Sequence, residues 1–101
     1  MERIDHVAIV VPQLKKAIEW YTTNTDCVVL YKDDTWAELQ YSNIKLALVS
    51  PTEHPPHIAF IDNTIKNGIK HRDGSESIYT HDYAGNVIEK IKYPKKVQKK
   101  S

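Results

Sequence analysis

Ile4-Asp5-His6-Val7-Ala8-Ile9-Val10-Val11, stopped by Pro12, is the stretch on which the fold turns. It is β-branched and apolar and too short for a buried helix, so it reads as a strand covered on both faces. Beyond Pro12, Leu14, Ala17, Ile18 and Tyr21 keep the i, i+3, i+4, i+7 spacing of an amphipathic helix, with Lys15, Lys16 and Glu19 on the wet side. Gln13 is a mediocre cap. Thr22-Thr23-Asn24-Thr25-Asp26 supplies turn chemistry that closes the helix.

Working outward, Cys27 to Tyr31 is β-branched again and Lys32-Asp33-Asp34 marks a turn. Thr35 to Tyr41 and Ile44 to Ser50 are strand-like runs separated by Ser42-Asn43, the pattern of a tight hairpin. The first half is therefore strand, helix, strand, strand, strand. Pro51 to Pro56 holds three prolines and forms the internal joint. After it His57-Ile58-Ala59-Phe60-Ile61 is a short apolar strand, and Asp62 to Lys70 holds at most a helical turn or two, ended by Gly68. Ser77 to His81 and Asn86 to Tyr93 read as a closing hairpin around Asp82-Tyr83-Ala84-Gly85. The second half repeats the first in shortened form. The expectation is one α+β domain over residues 1–93, with a first module at 2–50, an abbreviated second at 55–93, and a basic tail at 94–101.

The chain has 101 residues, 41% hydrophobic and 27% charged, with a net charge of +1, enough for one modest core. No apolar run approaches the roughly 18–20 residues of a membrane span. The charged start Met1-Glu2-Arg3 runs straight into the strand and does not read as a signal peptide, so the expected location is cytoplasmic. A single cysteine, Cys27, excludes an internal disulfide and a Cys-rich zinc site. Residues 1–89 carry 8 basic and 13 acidic side chains, or −5, whereas residues 90–101 carry six lysines and no acid. An acidic body does not suit a dedicated nucleic-acid binder, and the tail reads as a solvated terminus.

Alternation along strands sorts side chains by face. His6, Ala8 and Val10 share one face of the first strand, and Asp5, Val7, Ile9 and Val11 share the other. His57, Ala59 and Ile61 lie together, so each half opens with a histidine near the start of an apolar strand. Glu89 stands among Val87, Ile88 and Ile91, an expensive place for an unpaired carboxylate. Two readings fit: hydrogen-bonded core histidines with an edge carboxylate, or two imidazoles and one carboxylate around a divalent cation such as Zn²⁺ or non-haem Fe(II).

The opening Ile4 to Pro12, followed by Leu14, Ala17-Ile18 and Trp20-Tyr21, resembles the start of the vicinal oxygen chelate superfamily, which contains glyoxalases, bleomycin-resistance proteins and extradiol dioxygenases. His57-Ile58-Ala59-Phe60 resembles the opening of its second βαβββ module. Ser77-Ile78-Tyr79 and Asp82 to Glu89 resemble its closing strand pair. The resemblance covers residues 2–93 and implies paired βαβββ modules in a curved mixed sheet, with a metal on its concave face. It implies His6, His57 and Glu89 as ligands of a divalent ion (Fe, Zn, Ni or Mn, the identity open). The sequence departs from the pattern at Asp26, where glycine is usual, at Tyr83, where proline is common, and in a second module expected to lack a full helix and a strand. The position matching a fourth ligand is Ala47. If Ser42-Asn43 is a two-residue turn, Glu38 falls opposite Ala47 and reaches the same space from the next strand, flanked by Trp36 and Gln40. A solvated strand carboxylate is the other reading of Glu38.

Three activities are open on such a scaffold. A glyoxalase-type lyase or isomerase would use Glu38 or Glu89 as base on a small vicinal-oxygen substrate. In an extradiol-type dioxygenase, His71, Tyr79 and Glu89 would fall close to the family's spacing, although His71 also reads as an exposed loop residue. A resistance-type protein would bind an antibiotic without catalysis, with Trp36, Tyr79 and Tyr83 lining an apolar cleft. His54 and His81 read as surface residues. A homodimer is expected, because a trimmed second half leaves a strand edge and apolar surface uncovered.

Overall fold

The structure, a computed structural model, describes residues 1–94 of the chain, so the basic tail lies outside the described residues from 95 onward. Strand β1 (Arg3–Val10) leads into helix α1 (Leu14–Asn24), then β2 (Val28–Lys32), β3 (Trp36–Gln40) and β4 (Lys45–Val49). The second half gives β5 (His57–Ile61), β6 (Ile69–Lys70), β7 (Glu76–His81) and β8 (Val87–Lys92). All eight strands join one curved sheet in the order β2-β3-β4-β1-β5-β8-β7-β6. Each half pairs its first strand in parallel with its last, β1 with β4 and β5 with β8. The halves meet where β1 runs antiparallel to β5. The expected α+β architecture of two βαβββ-type modules, the second abbreviated, is what the chain adopts. Among the described residues no helix is long and apolar enough to cross a membrane.

The helix runs three residues past Tyr21 because its turn-forming side chains serve it. Thr22 Oγ1 donates to the Ile18 carbonyl at 2.8 Å and Asn24 Nδ2 to that of Trp20 at 2.9 Å. The Thr25 backbone N–H closes the last turn on Tyr21. α1 packs on β3 and β4, where Ala37, Leu39 and Leu48 are fully buried. Leu48→Ala is expected to lower stability by about 2–5 kcal/mol, read as a fall in the denaturant midpoint at unchanged m-value.

The second half has no helix between its first two strands. Asp62 Oδ1 accepts from the Thr64 N–H at 2.9 Å and its hydroxyl at 2.6 Å, Asn67 takes a left-handed φ of 59°, and only Ile65 of the segment's apolar residues is buried. Side chains that bond their own backbone in turns compete with a helix. The expected loss of a strand is corrected: β6 survives as two residues paired with β7.

Two local features position the site. The Tyr41 N–H donates to the Ile44 carbonyl at 2.9 Å, so Ser42-Asn43 is a two-residue turn and Glu38 stands opposite Ala47, as expected. In β1 the register shifts: Ile4 pairs with Phe60 and His6 with Ala59, leaving Asp5 as an extra residue. Strict alternation fails at this bulge. Asp5, assigned by parity to the face opposite His6, instead lies against the His6 ring.

Candidate metal centre

Three neighbouring strands build the centre. His6 on β1 pairs across the sheet with Ala59 on β5, and Ala59 pairs with Glu89 on β8. His57 precedes Ala59 by two residues and shares its face. Ala8, Ala47 and Ala59 are buried beneath, and such short side chains leave space above the sheet. His6 Nε2 lies 3.2 Å from His57 Nε2 and 3.2 Å from Glu89 Oε1, and His57 Nε2 lies 3.1 Å from the same oxygen. The three side chains expected as ligands therefore form a possible metal-binding triad.

The far side of each ring fixes what the near side offers. His6 Nδ1 faces Asp5 Oδ2 at 2.7 Å and His57 Nδ1 faces the Pro55 carbonyl at 3.0 Å. Both partners only accept, so with the proton of each neutral ring on Nδ1 the two Nε2 lone pairs turn toward each other. Two lone pairs and a carboxylate oxygen within 3.2 Å repel unless a proton or a cation lies among them. A divalent ion about 2.0–2.2 Å from three ligands sets their separations at about 2.9–3.5 Å, so the triad fits such an ion.

Without a cation, a proton serves. Burial pulls the His6 pKa down, but hydrogen bonds and charge from Asp5 and Glu89 outweigh it and push it up to about 9. Burial pushes the Glu89 carboxyl up, yet hydrogen bonds from His57, His6 and Ser77 hold it well below the usual range. Glu89 Oε2 accepts from Ser77 Oγ at 2.6 Å and from the Tyr79 phenol at 3.4 Å, which leaves Oε1 for the imidazoles. Burial, then the Glu89 charge, pushes the Tyr79 pKa up to about 12, so its phenol keeps its proton at neutral pH.

The triad opens into a cleft of about 670 Å³, also lined by Glu38, Trp36, Tyr79 and Arg72. Glu38 is half-buried and stays outside the triad, and among the described residues its carboxylate joins no ion pair. Trp36 packs on Tyr31 at 4.6 Å between ring centroids. Two expectations need correction. His71 is not an exposed loop residue: it lines the cleft, half-buried, with Nε2 2.9 Å from Ser77 Oγ. Tyr83 does not line the cleft, because the β7–β8 turn holds it fully exposed. His54 and His81 are exposed as expected, although His54 borders the cleft. Sequence reasoning missed Asp5 and Ser77. Ser77 was within reach, since alternation puts it on the face of Tyr79, but no spacing signals the bulge that turns Asp5.

No protein-family model matches the chain, and no curated protein matches it in sequence. Solved structures do. A hypothetical protein from Bacillus halodurans C-125 superposes with a TM-score of 0.76 at 17% identity, covering 96% of this chain and 98% of that one. Methylmalonyl-CoA epimerase in complex with methylmalonyl-CoA and NH4+ gives 0.72 at 19% identity, covering 94% and 96%. The likeness establishes the fold. Streptomyces coelicolor methylmalonyl-CoA epimerase in complex with 2-nitronate-propionyl-CoA gives 0.69 at 19% identity over 90% of this chain and 96% of that one, so both halves of the epimerase fold are present here.

Proposed function

We propose that the chain is a member of the vicinal oxygen chelate superfamily that holds a divalent metal on His6, His57 and Glu89 and moves a proton at a carbon next to a carbonyl, as a lyase, isomerase or epimerase does. The observation that carries this reading is the triad itself, three acceptor atoms 3.1–3.2 Å apart with both Nδ1 positions already engaged. The epimerase structures support the reaction class, since their fold covers nearly all of the described chain. A divalent cation bound there would supply Lewis-acid stabilisation of negative charge developing on a carbonyl oxygen.

The chain's own residues divide the remaining work. Glu89 is engaged by two imidazoles, a hydroxyl and a phenol, so it makes a poor base. Glu38 faces the same cleft without an ionic partner among the described residues, and it takes the proton from carbon while the electron pair moves onto the carbonyl oxygen. Tyr79, still protonated, donates a hydrogen bond and fixes the Glu89 carboxylate. A homodimer belongs to the same reading, supported by exposed Ile4, Ile58 and Ile69 and by the open edges that β2 and β6 leave at the ends of the sheet.

The test is solvent exchange. Metal-loaded protein incubated in D₂O with 2-methyl-branched malonyl thioesters and related α-carbonyl acids should incorporate deuterium at the acidic carbon, read by NMR. Glu38→Gln should slow this by about 10²–10⁴-fold while zinc stoichiometry stays unchanged. Absence of exchange across the series, with the metal bound, refutes proton transfer. The place of His71 beside Ser77 favours a second reading as a ring-cleaving dioxygenase. Oxygen consumption with catechols by the iron-loaded protein would select it. A drug-binding role has Trp36 and Tyr79 in its favour, but Tyr83 stands away from the cleft.

A further inference from the structure

Asp5 is a carboxylate in a largely apolar central strand, 9% exposed, at the one position where the β1 register breaks. Burying a charge there costs stability unless its lone pairs are met. They are met by a closed box. Asp5 Oδ2 accepts from His6 Nδ1 at 2.7 Å and from the Tyr93 phenol at 2.6 Å. Oδ1 lies 3.2 Å from Lys45 Nζ, which also donates to Tyr93 Oη at 3.1 Å and sits 5.0 Å above the Tyr93 ring. Lys45 is in turn the register partner of His6 on β4. The box thus ties β1, β4 and the segment following β8 to one edge of one imidazole.

We propose that Asp5, held by Tyr93 and Lys45, is a positioning residue that fixes the tautomer and orientation of His6 so that its Nε2 faces the metal. The inference rests on the metal reading above. It explains why β1 carries a bulge: without the extra residue, alternation would send the Asp5 carboxylate to the far face of the sheet. It also makes the two histidines unequal. His57 is oriented by a neutral backbone carbonyl, whereas His6 is oriented by a charged carboxylate, which makes its Nε2 the stronger donor to a cation.

Asp5→Asn and Tyr93→Phe test this in the full chain with Zn²⁺ alone. Competition against a chromophoric chelator should show Asp5→Asn weakening zinc by about 10–100-fold, and Tyr93→Phe, which removes one hydroxyl, weakening it less in the same direction. Nitrogen-15 NMR of the metal-free protein at pH 10 should show His6 protonated on Nδ1 in the native chain and shifted toward Nε2 protonation in Asp5→Asn. If Asp5 serves only the fold, thermal stability falls in both variants while zinc affinity and tautomer stay put, and the proposal is overturned. An Nε2-protonated His6 in the native chain overturns it too. Should the native chain take up no zinc, the metal reading fails, yet the tautomer measurement still decides the role of Asp5. Should Asp5→Asn not fold, Tyr93→Phe decides through the same two readouts.

Discussion

Glu89→Gln is expected to leave a folded protein with zinc affinity reduced by more than about 100-fold, beyond the loss typical of an orienting partner. Glutamine keeps the volume of the side chain, and its amide oxygen can still accept from Ser77 Oγ, now 2.6 Å from Glu89 Oε2. The amide nitrogen then turns toward His6 and His57 and donates to their lone pairs, filling with a hydrogen bond the position a cation would take. Glu89 supplies the only anionic atom of the triad, so the charge compensation of a divalent ion disappears with it. Isothermal titration with zinc, beside a thermal melt that shows the variant folded, checks the result. Glu38→Gln is the control and should bind zinc as the native chain does. Affinity in Glu89→Gln within tenfold of native would remove Glu89 from the ligand set.

The contrast between the two carboxylates is one of surroundings rather than chemistry. Both face the hollow side of the sheet, Glu38 across from Ala47 and Glu89 across from Ala59 and Tyr79. Glu89 is surrounded by donors that hold it ionised and fixed. Glu38 is half-buried and unpaired among the described residues, which suits it to the base role proposed for it. Different surroundings push like groups into different roles.

Much of this was legible in the sequence because it depends on local pattern. The apolar run from Ile4 to Val11 marks the central strand, and Ser42-Asn43 sets the hairpin register that places Glu38 opposite Ala47. Parity alone puts His6 on one strand face and His57 with Ala59 on another, and the resemblance supplies the reason to bring Glu89 to them. What stayed hidden depends on contacts between distant residues. The bulge at Asp5 exists only through pairing with β5 and is held by Tyr93, 88 residues away. His71 looks like a loop residue in Lys70-His71-Arg72-Asp73-Gly74, and only the pairing of β6 with β7 carries its ring to Ser77. The two-residue β6 is too short to leave a periodic signal, and it forms because β7 offers it an edge.

Metal-free protein should lose stability as pH rises from about 6.5 to 9, and zinc should cancel that slope. In the folded chain the His6 pKa stands at about 9, raised because Asp5 and Glu89 outweigh its burial, against 6.5 in an unfolded chain. A group whose folded pKa exceeds its unfolded one stabilises fully below the unfolded value, and that contribution is gone once pH passes the folded value. A gap of this size is worth about 3 kcal/mol. Asp5 and Glu89, both held below the usual carboxylate range, stay ionised throughout the window and add no slope. Zinc needs the same Nε2 lone pair that the proton occupies, so its affinity should climb about tenfold per pH unit up to 9 and then level off. Urea midpoints at pH 6, 7.5 and 9 should therefore fall in the presence of a chelator and stay nearly level with saturating zinc. His6→Asn should flatten the chelator series. A chelated native protein whose midpoint holds steady or rises across this range would mean that no proton is shared at the triad, and that its 3.2 Å imidazole contact is relieved in some other way.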